Sequence, residues 1–98
     1  MSAPVIQAQY DDLEKIAERF AQQADLIEQM QQQVRQAADA LKSGGWQGQG
    51  SDAFQAEMDG EIFPAVNRLS QALQEGNRAT RQIAEVIKAA EEEAANPF

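Results

Sequence analysis

The chain has 98 residues, enough for one small domain, and carries a net charge of −8 from 16 Asp and Glu against 8 Lys and Arg. It contains no Cys and no His, which excludes a disulfide scaffold, a thiol nucleophile, an imidazole base and metal ligation by either residue. The acidic balance argues against nucleic acid and anionic membrane surfaces, because both attract basic proteins. We therefore expect no enzyme activity, no cofactor, no metal, no nucleic-acid binding and no stable membrane insertion.

Residues 1–8 are predicted to form a loose arm. They lack the basic start and the apolar run of a Sec signal peptide. No stretch of the sequence approaches the ~20 apolar residues that a membrane-spanning helix needs. If the protein leaves the cell, we expect another route to carry it.

Residues 9–43 are predicted to form the first long helix. From Tyr10 onward, core positions recur at alternating steps of three and four, with Gln31 as the polar exception, and this spacing is typical of a heptad repeat. A second column that includes Ile16 and Met30 lies beside it, so the apolar face is wide enough for a helical bundle. The core positions predicted for this helix are Leu13, Phe20, Ile27, Val34 and Leu41.

Residues 44–50 are predicted to form a turn, because the glycines crowded there break a helix. Gly44 or Gly45 can adopt the left-handed conformation that often follows a helix. Ser51 or Asp52 is predicted to cap the next helix. Since the connection is short, the two helices should be antiparallel neighbours.

Residues 51–94 are predicted to form the second helix, and 95–98 a tail. Apolar residues recur every fourth position from Phe54 onward, which indicates a slip of the heptad register. Pro64 cannot donate a backbone hydrogen bond, so a kink is predicted near it. Gly76 and its neighbouring alanines offer a small-residue patch for close helix approach. The core positions predicted for this helix are Phe54, Met58, Val66, Leu69, Leu73, Ile83 and Ile87.

Two helices of ~34–44 residues are too long for a compact globule of this size. Side by side they leave apolar surface on more than one side, which a lone hairpin cannot bury. The predicted fold is therefore an all-α antiparallel helical hairpin that dimerises into a four-helix bundle.

The most distinctive residues of the sequence lie at the predicted tip of this hairpin. Trp46 can be recognised there by a partner or can simply cap the end of the bundle, and we predict a recognition role beyond packing. The acidic residues Glu57, Asp59 and Glu61 spread around their helix instead of converging, so we expect a solvated acidic surface and not a metal site.

Trp-x-Gly at a mid-chain turn between two long helices resembles the WXG family of ESAT-like proteins, which are small substrates of bacterial type VII secretion. The residues that carry the resemblance are Trp46, Gly48, Phe54, Pro64, Leu69 and Leu73. It implies a secreted, non-enzymatic dimeric substrate or co-secreted carrier. Its implied partners are itself or a second WXG-type protein, and a membrane ATPase of the FtsK/SpoIIIE type. It also implies export without a Sec signal peptide, with Trp46 and Gly48 as the recognition motif.

The sequence departs from the family pattern at its C-terminal end. Many members carry Tyr-x-x-x-Asp/Glu after the second helix as an export signal, whereas the single Tyr of this chain is Tyr10. Either a partner chain supplies the signal, or the acidic tail with Glu91 and Phe98 replaces it.

Two other functions compete with export. One is a cytosolic adaptor, similar to a chaperone, that escorts a larger type VII effector. The other is a membrane-active amphipathic protein, which the charge of −8 disfavours. Export that depends on the secretion ATPase would separate the first alternative from a secreted substrate, and liposome leakage would test the second. A neighbouring gene for a second WXG-type protein would indicate a heterodimer.

Overall fold

The computed structural model describes the backbone of residues 3–95 and the side chains of residues 7–95. No strand occurs among these residues, which confirms the all-α class. Four helical elements follow one another: α1 (Ala3–Ser43), α2 (Gln49–Glu57), a π-helical turn (Met58–Ile62) and α3 (Phe63–Ala95).

The first helix begins earlier than the sequence suggested. α1 starts at Ala3, so residues 3–8 are helical and do not form the predicted loose arm. Pro4 stands in the first turn, where a missing N–H costs nothing and the fixed φ of proline suits the helix. α1 ends at Ser43, and Gly45 then takes a φ of 91°, the left-handed conformation expected after a helix.

The predicted cap of the second helix is wrong. α2 starts at Gln49, its N-cap residue is Gly48, and no side chain caps it. Asp52 lies within the helix, where its N–H donates to the carbonyl of Gly48 over 3.0 Å. Ser51 donates its hydroxyl to the carbonyl of Trp46 over 3.0 Å, so it holds the turn and does not cap the helix.

Helicity continues through Pro64, but the hydrogen-bonding pattern changes directly before it. The N–H of Phe63 donates to the carbonyl of Met58, five residues back, which is the π-helical pattern. This turn is the physical form of the register slip that the apolar spacing indicated, since it inserts one additional residue into the helix.

The described chain packs as two compact units, each of which contains two antiparallel helical segments. In the first unit, residues 3–22 pair with residues 73–95. Asn77 donates its side-chain amide to the carbonyl of buried Ala17 over 2.7 Å. Arg81 lies 3.5 Å from Glu14. The hydrogen bond from Asn77 to Ala17 fixes the register of the two segments, because a shift would leave the part-buried side-chain amide without an acceptor.

The second unit comprises Gln23–Ala72. Ser70 is buried and donates its hydroxyl to Glu28 over 3.2 Å. Phe63 is only 5% exposed, and the guanidinium of Arg35 lies 3.9 Å from the centre of its ring. This cation–π contact covers an aromatic ring that lies outside the core positions predicted from the apolar spacing.

Apart from Phe63, the buried positions of both units are small or polar residues. On α1 they repeat every seven residues: Ala17, Ala24, Gln31 and Ala38. Most of the predicted core lies beside these positions, half-buried: Leu13, Phe20, Ile27, Phe54, Met58, Val66 and Leu73. The rest of the predicted core is exposed: Val34, Leu41, Leu69, Ile83 and Ile87. The contacts within one chain therefore leave much of the apolar stripe uncovered.

Gly76 is the close-approach position that the sequence predicted. A Cβ at Gly76 would lie 2.8 Å from two ring carbons of Phe20. We expect Gly76→Ala to lower the free energy of unfolding by ~1–3 kcal/mol, because the ring must move. Gly60→Ala is the matched control, since nothing lies within 4 Å of a Cβ there. Urea unfolding of both variants checks this, and equal stability would contradict it.

Candidate functional site

The turn between α1 and α2 presents the only Trp of the chain. Trp46 remains 38% exposed while its ring packs against Phe54, with ring centres 5.3 Å apart and planes tilted by 55°. Its backbone is held as well, because its N–H donates to Leu41 over 3.2 Å and its carbonyl accepts from Ser51. The indole is thus fixed in place with part of its surface available to a partner. We call Trp46, Gly48 and Phe54 the Trp46 tip.

Gly48 occupies a backbone conformation that only glycine adopts readily. Its φ is 111° and its ψ is −173°, a region in which a Cβ clashes with the backbone. The same residue is the N-cap of α2. The spacing between Trp46 and Gly48 therefore has a structural reason, since the chain must turn sharply right after the Trp to start α2.

Substituting Gly48 tests this reason. We expect Gly48→Ala to destabilise the protein by ~1–3 kcal/mol through strain at positive φ. Gly50→Ala is the control, because Gly50 lies inside α2, has no positive φ and has open space around its Cβ. Gly50→Ala should leave stability unchanged or raise it by up to ~1 kcal/mol through helix propensity. Thermal unfolding measures both, and an unaffected Gly48→Ala variant would refute the assignment.

A second candidate site, which is polar, lies in the first unit, where the beginning of α1 pairs with the end of α3. The Tyr10 hydroxyl donates to Glu91 over 2.6 Å. A groove of about 460 Å³ surrounds this bond. The charged residues that line it are Asp11, Glu14, Arg81, Glu85, Lys88, Glu91 and Glu92. Glu91, a predicted tail signal, is thus tied to α1, whereas Phe98 lies outside the described residues.

Desolvation, the hydrogen bond to Glu91 and the negative charges of Glu91 and Glu92 together raise the pKa of Tyr10 to about 12. The raised pKa means that the protonated phenol is favoured in the folded state. Its contribution to stability is complete below the ordinary pKa of 10.0 and is lost as the pH rises through about 12.

Tyrosinate absorbance provides the test, because Tyr10 is the only Tyr. We expect ionisation near pH 12 in the unmodified protein and a lower pKa in Glu91→Gln, which loses the nearest negative charge. Glu93→Gln is the control, since Glu93 does not act on Tyr10. Titration of the unmodified protein at 10.0 would show that the bond does not form.

The remaining acidic residues are exposed to solvent. Glu57, Asp59 and Glu61 are all exposed. In the described part of the chain, no group of three or more acidic side chains is placed to hold a metal ion. None of the helices within residues 3–95 combines the length and apolar content needed to cross a membrane.

Each unit also exposes large apolar side chains, which we call its apolar face. In the first unit these are Ile16, Ile83, Val86 and Ile87. In the second unit they are Leu26, Met30, Val34, Leu41, Ile62 and Leu69. Single exposed apolar residues are ordinary, but a series of them along one helix is unusual on the surface of a monomeric protein.

Comparison with known proteins agrees with this arrangement of long helices and a Trp-x-Gly turn. The family WXG100, described as proteins of 100 residues with WXG, matches residues 5–92. The chain belongs to this family, which is associated with substrates of type VII secretion. The comparison with curated proteins gave no match, and neither did the comparison with solved structures.

Proposed function

We propose that this chain is a dimeric, non-enzymatic protein that a type VII secretion system exports, either as a secreted substrate or as a co-secreted carrier. Its membership of the WXG100 family is the observation that carries the proposal. The exposed Trp46 and the apolar faces support it, because a substrate of this kind needs one surface for recognition and another for assembly.

The apolar faces support dimerisation. Leu69 is 48% exposed and Ile83 is 54% exposed, although each belongs to the apolar stripe of α3. Moving a side chain of this size from full exposure to full burial is worth ~1.5–3 kcal/mol, so covering the exposed half of each is worth about half of that. Several such residues along α1 and α3 offer apolar surface that a second helical pair would cover. The partner is a second copy of the chain or a second WXG-type protein, and the product is a four-helix bundle.

The Trp46 tip is the proposed contact for the FtsK/SpoIIIE-type ATPase. Aromatic anchors that are fixed by their neighbours and still partly accessible dominate many protein interfaces. Trp46 is fixed by its contact with Phe54 and its hydrogen-bonded backbone, and its side chain remains partly exposed. In this proposal, a partner chain or the acidic tail with Glu91 and Phe98 supplies the remaining part of the export signal.

Export is tested by detecting an epitope-tagged chain in culture medium from cells with and without an active secretion ATPase. We expect it in the medium only when the ATPase is active, with a cytosolic protein absent from the medium as a control for lysis. Retention in the cytosol together with a bound larger effector would refute the proposal and support a cytosolic adaptor instead. Coexpression of a second WXG-type protein then shows whether export needs a partner.

A further inference from the structure

The π-helical turn at Met58–Ile62 changes which residues of α2 share a face with the start of α3. In an α-helix, residues seven apart lie on nearly the same face. The π-helical turn inserts one additional residue, so across it the corresponding separation is eight. Buried Phe63 is therefore aligned with Gln55 and not with Ala56.

Burial follows this shifted alignment. Gln55 and Met58 are half-buried and Ser51 is buried, as is Phe63 on the other side of the turn. Ala56, which an uninterrupted α-helix would align with Phe63, is exposed. The π-helical turn thus brings the uncharged side of α2 into the interior of the second unit.

Without the π-helical turn, an unchanged chain would present a different side of α2. Advancing an α-helix by one residue rotates it by about 100°. That rotation would carry Asp52 and Asp59 toward the interior, and burying unpaired carboxylates is costly. It would also move Phe54 and Ser51 away from Trp46, which both of them now contact.

Pro64 makes the uninterrupted α-helix still less favourable. In that helix its ring would clash with the carbonyl of Gly60, and it has no N–H to offer this carbonyl. The π-helical turn covers the residues directly before Pro64, where this clash would occur. The proline and the buried face therefore favour the same backbone.

We infer that the π-helical turn is the positioning element of the Trp46 tip. It sets the rotation of α2, and this rotation determines both the packing of Trp46 on Phe54 and the side of α2 that lies beside Trp46. The importance of this position for export rests on the proposed function. The effect on Trp46 itself does not, and it can be measured on the purified protein.

The test removes the additional residue. Deletion of Gly60 combined with Pro64→Ala permits an uninterrupted α-helix in which Ser51, Gln55 and Met58 stay aligned with Phe63. We expect a folded protein whose Trp46 emission wavelength and acrylamide quenching equal those of the unmodified protein. Pro64→Ala alone should match them too, because the buried face still requires the π-helical alignment.

The matched control deletes both Gly60 and Glu61 in the same Pro64→Ala background. An uninterrupted α-helix in this chain places Phe54 and not Gln55 seven residues before Phe63, so α2 rotates by about 100° and its buried side leaves the interior of the second unit. We expect red-shifted emission and stronger quenching of Trp46. If the Gly60 deletion unfolds the protein, or changes Trp46 as much as the double deletion does, the inference is wrong. Failure of the proposed function would be visible separately, as normal export of a Trp46→Ala variant.

Discussion

Leu69→Asp is expected to convert the dimer into monomers. Leu69 is 48% exposed on the apolar face of the second unit, so in the proposed bundle it faces the partner chain. A buried unpaired carboxylate costs ~3–5 kcal/mol, which corresponds to a dissociation constant raised by about 100-fold or more. Because about half of the Leu69 side chain is exposed to solvent in the single chain, we expect the dimer to dissociate before the helices unfold.

Gln71→Asp is the control for this substitution. It adds the same charge to the same helix at an exposed position outside the apolar face. Analytical ultracentrifugation over a range of concentrations should detect weaker association for Leu69→Asp. Gln71→Asp should associate as tightly as the unmodified protein. An undisturbed dimer in the Leu69→Asp variant would place the interface elsewhere. Val34→Asp offers a second test, on the α1 side of the same unit.

The second large effect concerns Trp46→Ala, which should abolish export while the dimer and its helix content persist. Truncating an aromatic anchor at an interface costs ~2 kcal/mol or more, or about 30-fold in affinity for the ATPase. Among the residues that the structure describes, Phe54 is the aromatic ring on which the indole packs. We therefore expect only a modest loss of thermal stability.

Gln47→Ala, an exposed neighbour in the same turn, controls for changes in the turn itself and should be exported normally. Trp46→Phe retains an aromatic ring against Phe54 and separates packing from recognition of the indole. If Trp46 only caps the bundle, Trp46→Ala will reduce export in proportion to its loss of stability, and a stabilised background will restore export. That result would remove the recognition role.

The sequence predicted the helices better than it predicted their contacts. Periodicity identified α1 and α3 because a heptad stripe is visible whatever covers it. For the same reason it could not tell the contacts within one chain from those with a partner. Ser70 and Asn77 have no apolar signal, so their part in pairing α1 with α3 was not predicted. Phe63 was missed because the steps of four pointed to Ile62, which is 40% exposed.

The tip was predicted in composition but not in geometry. Glycine crowding located the turn, and Trp46 and Gly48 were singled out by their spacing. Conventional capping rules favoured Ser51 or Asp52, but α2 begins at Gln49, because the positive φ of the N-cap residue Gly48 turns the chain earlier than a side-chain cap would. The π-helical turn left only an indirect trace in the sequence, because an additional residue in a helix looks like any other slip of register.

Sedimentation equilibrium of the purified, unmodified chain tests the central claim that the apolar faces are assembly surfaces. The monomer mass is 10.8 kDa. At micromolar concentration we expect about twice the monomer mass, with a helical spectrum that is lost together with association on dilution or heating. The dimeric account would be contradicted by a folded, helical species that remains at 10.8 kDa both when the chain is purified alone and when it is coexpressed with a second WXG-type protein.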